Sequence, residues 1–230
     1  MTIEKWKNEV TLYLTELRDN VNDNPDLKDL CYGYSVIDGK LVENPDILFI
    51  GINAGKGNGI RKQTIEIETD HNSYIDPLIP EYYADYDSPY LLAESTIELL
   101  KKVGLSESEI KNKFENNYVK TNLYYVDTQN ENSLKAFKNG NFNFYQQSCY
   151  LTIELIKLLK PKVVIFEGKG VYQDIVETCI EQKNTWDNIN NIGQYYLEET
   201  NSLLLGYGRN NIGTIGYNQD HLAEILRKQL

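Results

Sequence analysis

The chain has 230 residues, 41% of them hydrophobic and 25% charged, which is the range of a globular protein with one sizeable core. Its 34 acidic against 23 basic residues give a net charge of −11, which excludes a uniformly basic nucleic-acid binder and leaves only a local basic patch. Three widely separated cysteines, Cys31, Cys149 and Cys179, argue against a disulfide framework and against a cysteine-ligated metal or iron–sulfur site.

No linker, repeat or low-complexity tract divides the chain, so one domain spanning 1–230 is expected. No apolar run approaches the roughly 18 residues of a membrane helix. The start Met1-Thr2-Ile3-Glu4-Lys5-Trp6 lacks the basic-then-apolar order of a secretory signal. A cytoplasmic monomer with no membrane partner is the expectation.

In chain order, Ile3, Trp6, Val10, Leu14, Leu17 and Val21 recur at helical spacing and predict an amphipathic helix. After a turn-rich stretch, Asp46-Ile47-Leu48-Phe49-Ile50-Gly51 reads as a buried parallel strand between Pro45 and a glycine loop. Residues 56–90 carry few regular signals and many aromatics (Tyr74, Tyr82, Tyr83, Tyr86, Tyr90), which predicts a long functional loop. Ser88-Pro89 is expected to open a helix with Leu92, Leu99 and Val103 inward, and Ser106 with Glu109 to cap the next one.

A second strand is expected over Tyr118–Val126, with Asn122 near its end. The stripe Tyr145, Cys149, Ile153, Ile156 and Leu159 predicts a helix from Phe144 that Pro161 stops. Lys162–Gly168 is a third buried strand, backed by a helix carrying Val171, Ile175 and Cys179. Tyr195–Glu198 and Leu203–Gly206 form a last strand pair, and Asn218 caps a final helix with Leu222, Ile225, Leu226 and Leu230. The alternation predicts an α/β, three-layer sandwich: a central, mostly parallel sheet of four to five strands flanked by helices, with its ligand site at the strands' carboxyl ends.

The loop Gly51-Ile52-Asn53-Ala54-Gly55-Lys56-Gly57 invites a phosphate-loop reading, because glycines let a ligand approach backbone N–H groups. The Walker spacing fails: three residues, not four, separate the first glycine from Gly-Lys, and Gly57 stands where Ser or Thr is needed. The dinucleotide fingerprint fails as well, because its spacing is wrong.

The same loop resembles the first motif of the uracil-DNA glycosylase superfamily, in the Gly-Ile-Asn-Pro-Gly form of the mismatch-specific branch. Thr121-Asn122-Leu123-Tyr124 is similar to the strand-end Asn by which that family reads an extruded base. Lys160-Pro161-Lys162-Val163-Val164-Ile165 resembles its helix-to-strand step, and Leu205-Gly206-Tyr207-Gly208-Arg209-Asn210 stands in the place of its second motif. Ala54 replaces the family's proline, and the usual His of the second motif is missing.

The resemblance implies a monofunctional DNA glycosylase acting on uracil, a mismatched pyrimidine or a modified base in single- or double-stranded DNA, with no metal or other cofactor. It gives Asn53 the role of orienting water and Asn122 that of reading the flipped base, with Gly51, Ile52, Ala54 and Gly55 shaping the pocket. Tyr74 or Tyr83 would stack on the base. Tyr207, Arg209 and Asn210 would meet the sugar-phosphate, and Lys56, Arg61 and Lys62 would complete a phosphate-binding rim. Two other readings stay open. One is an N-glycosidase for free nucleosides or nucleotides, with Glu167 as the carboxylate and the acidic charge in its favour. The other is a catalytically inert nucleic-acid-binding module of the same fold.

Overall fold

The computed structural model describes residues 1–55, 64–83, 89–128, 131–139, 143–210, 213–216 and 218–230. The chain begins with α1 (Ile3–Asp23), whose buried residues Trp6, Val10, Leu14, Leu17 and Val21 follow the predicted stripe, and continues through the single turn α2 (Pro25–Lys28). Strand β1 (Cys31–Asp38) leads to β2 (Ile47–Gly55). The stretch read as one long loop holds β3 (Ile65–Glu68), a 3-10 segment (Ser73–Leu78) and α3 (Pro80–Tyr83).

Next come α4 (Leu91–Val103), α5 (Glu107–Asn116), β4 (Tyr118–Thr128), α6 (Glu131–Lys138) and α7 (Phe144–Leu159). Strand β5 (Val163–Phe166) precedes α8 (Lys169–Tyr172), which runs into π-helical turns over Gln173–Cys179. The chain closes with β6 (Trp186–Asp187), β7 (Ile192–Leu197), β8 (Ser202–Tyr207) and α9 (Gln219–Arg227).

The sheet corrects the expected size and direction. Among the described residues it has eight strands in the order β3-β1-β4-β2-β5-β8-β7-β6, and it is mixed. Its centre, β4-β2-β5-β8, is parallel, while β1 runs antiparallel to β4 and β7 antiparallel to both β8 and β6. The hairpin and β1 widen the sheet because short antiparallel strands attach to an edge without a crossover helix.

Side chains alternate across this centre and build two cores. Leu48, Ile50, Val164, Phe166 and Leu204 join the layer of α1, α6, α7 and α8. Ile47, Phe49, Val163, Ile165, Leu203 and Leu205 join the layer of α4, α5, α9 and the 3-10 segment. The three-layer arrangement is therefore as expected.

Local signals account for most element ends. Ser106 and Glu109 form the predicted capping box of α5, and Gly104 ends α4 in the left-handed region at φ +114°. The start of α4 differs from the expectation: the helix begins at Leu91 after Tyr90, which makes no side-chain cap, so Pro89 lies outside its first turn. Asn218 precedes α9 as predicted but likewise makes no side-chain cap.

Candidate functional site

On the face packed by α4, α5 and α9, the inward stripe of each central strand starts apolar and ends in the residues that face the cleft. Ile47 and Phe49 are followed by Gly51, Tyr118 by Lys120 and Asn122, Val163 and Ile165 by Glu167, and Leu203 and Leu205 by Tyr207. Register makes these residues neighbours: Phe49 pairs with Lys120 and Ile165, Gly51 with Asn122, and the Glu167 N–H continues the ladder to the Ile50 carbonyl at 2.9 Å. Asn122 thus sits mid-strand in β4 rather than at its end.

The polar ends open into a cleft of about 910 Å³, lined among others by Asp38, Asn53, Ser73, Lys120, Asn122 and Glu167. Such a volume is at the upper end of small-molecule sites. At its floor Lys120 and Glu167 are almost fully enclosed, with side chains 5% and 0% exposed, and their charged atoms lie 3.1 Å apart. Lys120 donates to the Thr121 carbonyl at 2.8 Å and to Asn122 Oδ1 at 3.2 Å. Glu167 accepts the Tyr74 hydroxyl through Oε1. Burial, and then the charge of Glu167, raise the Tyr74 phenol well above its ordinary pKa.

Gly51 is what makes room for this cluster. A Cβ there would lie 2.5 Å from Asn122 Oδ1, 2.8 Å from Lys120 Nζ and 3.1 Å from Glu167 Oε2. Across the cleft, Asp38 at the end of β1 accepts the Ser73 N–H at 3.0 Å and the Ser73 hydroxyl at 2.6 Å, which ties the 3-10 segment to the sheet. Burial pushes the Asp38 carboxyl up, against the lowering effect of the Ser73 bonds. His71 pairs with the buried Asp76 behind that segment.

The predicted residues divide. Gly51, Ile52, Asn53, Asn122, Tyr74, Arg209 and Asn210 all line the one cleft. Asn53 donates through Nδ2 to Thr128 Oγ1 at 2.8 Å and to the Val126 carbonyl at 3.4 Å, which turns its Oδ1 to the opposite side. Tyr74 is fully buried and meets Phe49, Tyr90 and Phe114 in tilted or edge contacts, so it is a wall of the core rather than an open stacking platform. Tyr207 is also buried, at 2% exposure, and is not a lining residue.

Arg209 is exposed at the rim, and its Nε lies 3.8 Å from where a Cβ on Gly168 would be. Asn210 exchanges bonds with Thr214, Nδ2 to Oγ1 at 2.6 Å and the Thr214 N–H to Oδ1 at 3.0 Å. Ala54 and Gly55 end β2. Tyr83 closes α3, whereas Lys56, Arg61 and Lys62 lie outside the described residues.

Lys120, Asp38 and Ser73 were not among the expected site residues, while Glu167, expected as the carboxylate of a nucleoside enzyme, lies in the cleft floor. Every-other-residue reading of the four parallel strands would have found Lys120 and Glu167. No known protein family matches the sequence, and no curated protein aligns with it significantly.

Proposed function

We propose that the protein is a monofunctional DNA N-glycosylase that hydrolyses the bond between a flipped-out pyrimidine and its sugar and leaves an abasic site. One observation carries this reading. The segments that resemble the glycosylase motifs, Gly51–Asn53 in β2, Asn122 in β4 and Arg209–Asn210 just after β8, line a single cleft.

The chemistry fits the residue types. Breaking an N-glycosidic bond builds positive charge on the sugar and negative charge on the departing base, so the site needs a placed water and a donor to the base. Asn53, whose Nδ2 donates to Thr128 and to the Val126 carbonyl of β4, has the role of orienting the water. Asn122 contacts the base. Arg209, an exposed cation at the mouth, meets the phosphate of the flipped nucleotide. Oligonucleotides containing uracil, mismatched thymine or modified cytosines, treated with alkali after incubation, test the proposal. Strand breaks at the target base support it, and intact strands after long incubation with folded protein remove it.

A second reading, hydrolysis of free nucleosides or nucleotides, draws on Glu167 in the cleft floor and on the net charge of −11. Base release from a free nucleoside with none from the oligonucleotides would select it. Tight DNA binding without any base release would select an inert binding module.

A further inference from the structure

The floor of the cleft is a chain of four side chains in which each contact has one possible direction. Tyr74 donates to Glu167, and its raised phenol stays a donor at neutral pH. Glu167 Oε2 stands 3.1 Å from Lys120 Nζ, off the line of a hydrogen bond, so the two form an ion pair. Lys120 is donor-only and gives its hydrogens to the Thr121 carbonyl and Asn122 Oδ1. An ammonium cannot face an amide NH₂, so Asn122 is held with Oδ1 toward Lys120. Its Nδ2 donates to no protein group among the described residues.

Tyr74, Glu167, Lys120 and Asn122 are 0%, 1%, 4% and 8% exposed, which leaves the amide little room to turn. We infer that Lys120 is a positioning residue that fixes Asn122 as a hydrogen-bond donor, so that the cleft selects a cytosine-type base over a uracil-type base. The inference rests on the reading that a pyrimidine enters this cleft. In a cytosine-type ring N3 is a bare acceptor and meets the Asn122 NH₂. In a uracil-type ring N3 carries a hydrogen, so two donors face each other in a partly dehydrated site and both lose their partners.

An asparagine free to rotate reads uracil by donating to O4 and accepting from N3–H, but here Oδ1 is held toward Lys120 and against Gly51 in the floor, which leaves the NH₂ as the group on the other side. Substituents at C5 of cytosine leave the N3 edge unchanged, so modified cytosines belong to the selected class.

Calorimetric titration with deoxycytidine monophosphate and deoxyuridine monophosphate tests this, because the two probes differ only at the edge in question. The wild-type protein should bind the cytidine nucleotide at least ~10-fold more tightly, the ~1.4 kcal/mol that lies in the lower part of the cost of an unpaired buried polar group. Asn122→Asp makes the reader an acceptor and should reverse the order. The double variant Lys120→Met/Glu167→Gln, which removes both charges so that neither is stranded, should bring the two affinities to within ~3-fold, because the amide can then turn.

Wild-type protein that prefers the uridine nucleotide or binds both equally overturns the inference. So does an order unmoved by Asn122→Asp, and so does the failure of both probes to bind. None of these readouts needs bond cleavage. Base release with the wrong binding order therefore keeps the N-glycosylase and removes the selectivity, and the expected order without base release does the reverse.

Discussion

Replacing Gly51 by alanine puts the packing of the cleft floor to a direct test. The added methyl would lie 2.5 Å from Asn122 Oδ1 and 2.8 Å from Lys120 Nζ, both well inside contact distance. Those atoms end flexible side chains, but they are enclosed, and retreat breaks the Lys120–Asn122 bond and loosens the Lys120–Glu167 pair. Overpacking of this kind costs about 2 kcal/mol. For a chain of this size that corresponds to a fall in Tm of ~4–8 °C.

Thermal unfolding followed by circular dichroism reads the difference. Gly170→Ala is the control, because nothing lies within 4 Å of a Cβ there and alanine suits the helix better by about 0.5–1 kcal/mol. A Gly51→Ala protein that melts with the wild type would mean that the floor is open or its side chains free to move, and the argument about Asn122 would lose its basis.

Further perturbations separate the other contributions. Lys120→Met strands the Glu167 charge, whose side chain is 0% exposed, and should cost about 3–5 kcal/mol in urea denaturation, with at least half recovered by adding Glu167→Gln. Trp6→Ala removes a fully buried side chain of α1 together with its Nε1 bond to the Leu151 carbonyl at 2.9 Å, and a loss of about 3–5 kcal/mol is expected by the same assay.

Asp46 gives an acid limb. Burial pulls its carboxyl up, but bonds from Lys113 at 2.7 Å and Lys162 at 2.8 Å outweigh burial and leave its pKa lowered. A lowered carboxylate stabilises above its unfolded pKa of about 4 and loses that contribution as pH falls through the folded value. The stability gap between the wild type and Asp46→Asn should therefore be widest near neutrality and close in acid.

The helices were legible because one face of each is apolar, and the central strands because burial on both faces leaves a continuous apolar run. In α1 all five predicted interior positions from Trp6 to Val21 are buried, and α7 spans the predicted Phe144–Leu159. Strand β1 was not legible. Its burial does not alternate, its register with β4 shifts twice, and polar residues and Gly33 interrupt its apolar ones.

The cleft was half legible. Glycine, asparagine and the order of segments pointed to Gly51, Asn53 and Asn122, all of which line it. Lys120 was invisible in a strand whose polar residues suggest a solvated face, yet all eleven residues of β4 are buried. Its partner Glu167 is brought to it by strand register, which no local spacing encodes.

The measurement that bears most directly on the central claim is single-turnover base release from oligonucleotides carrying uracil, mismatched thymine and modified cytosines, by wild type and by Asn53→Ala. Abasic sites are expected with the wild type, and a rate lowered by ~100-fold or more once Asn53 no longer orients the water. Undiminished release by Asn53→Ala, or silence from folded wild-type protein on every substrate, would contradict it.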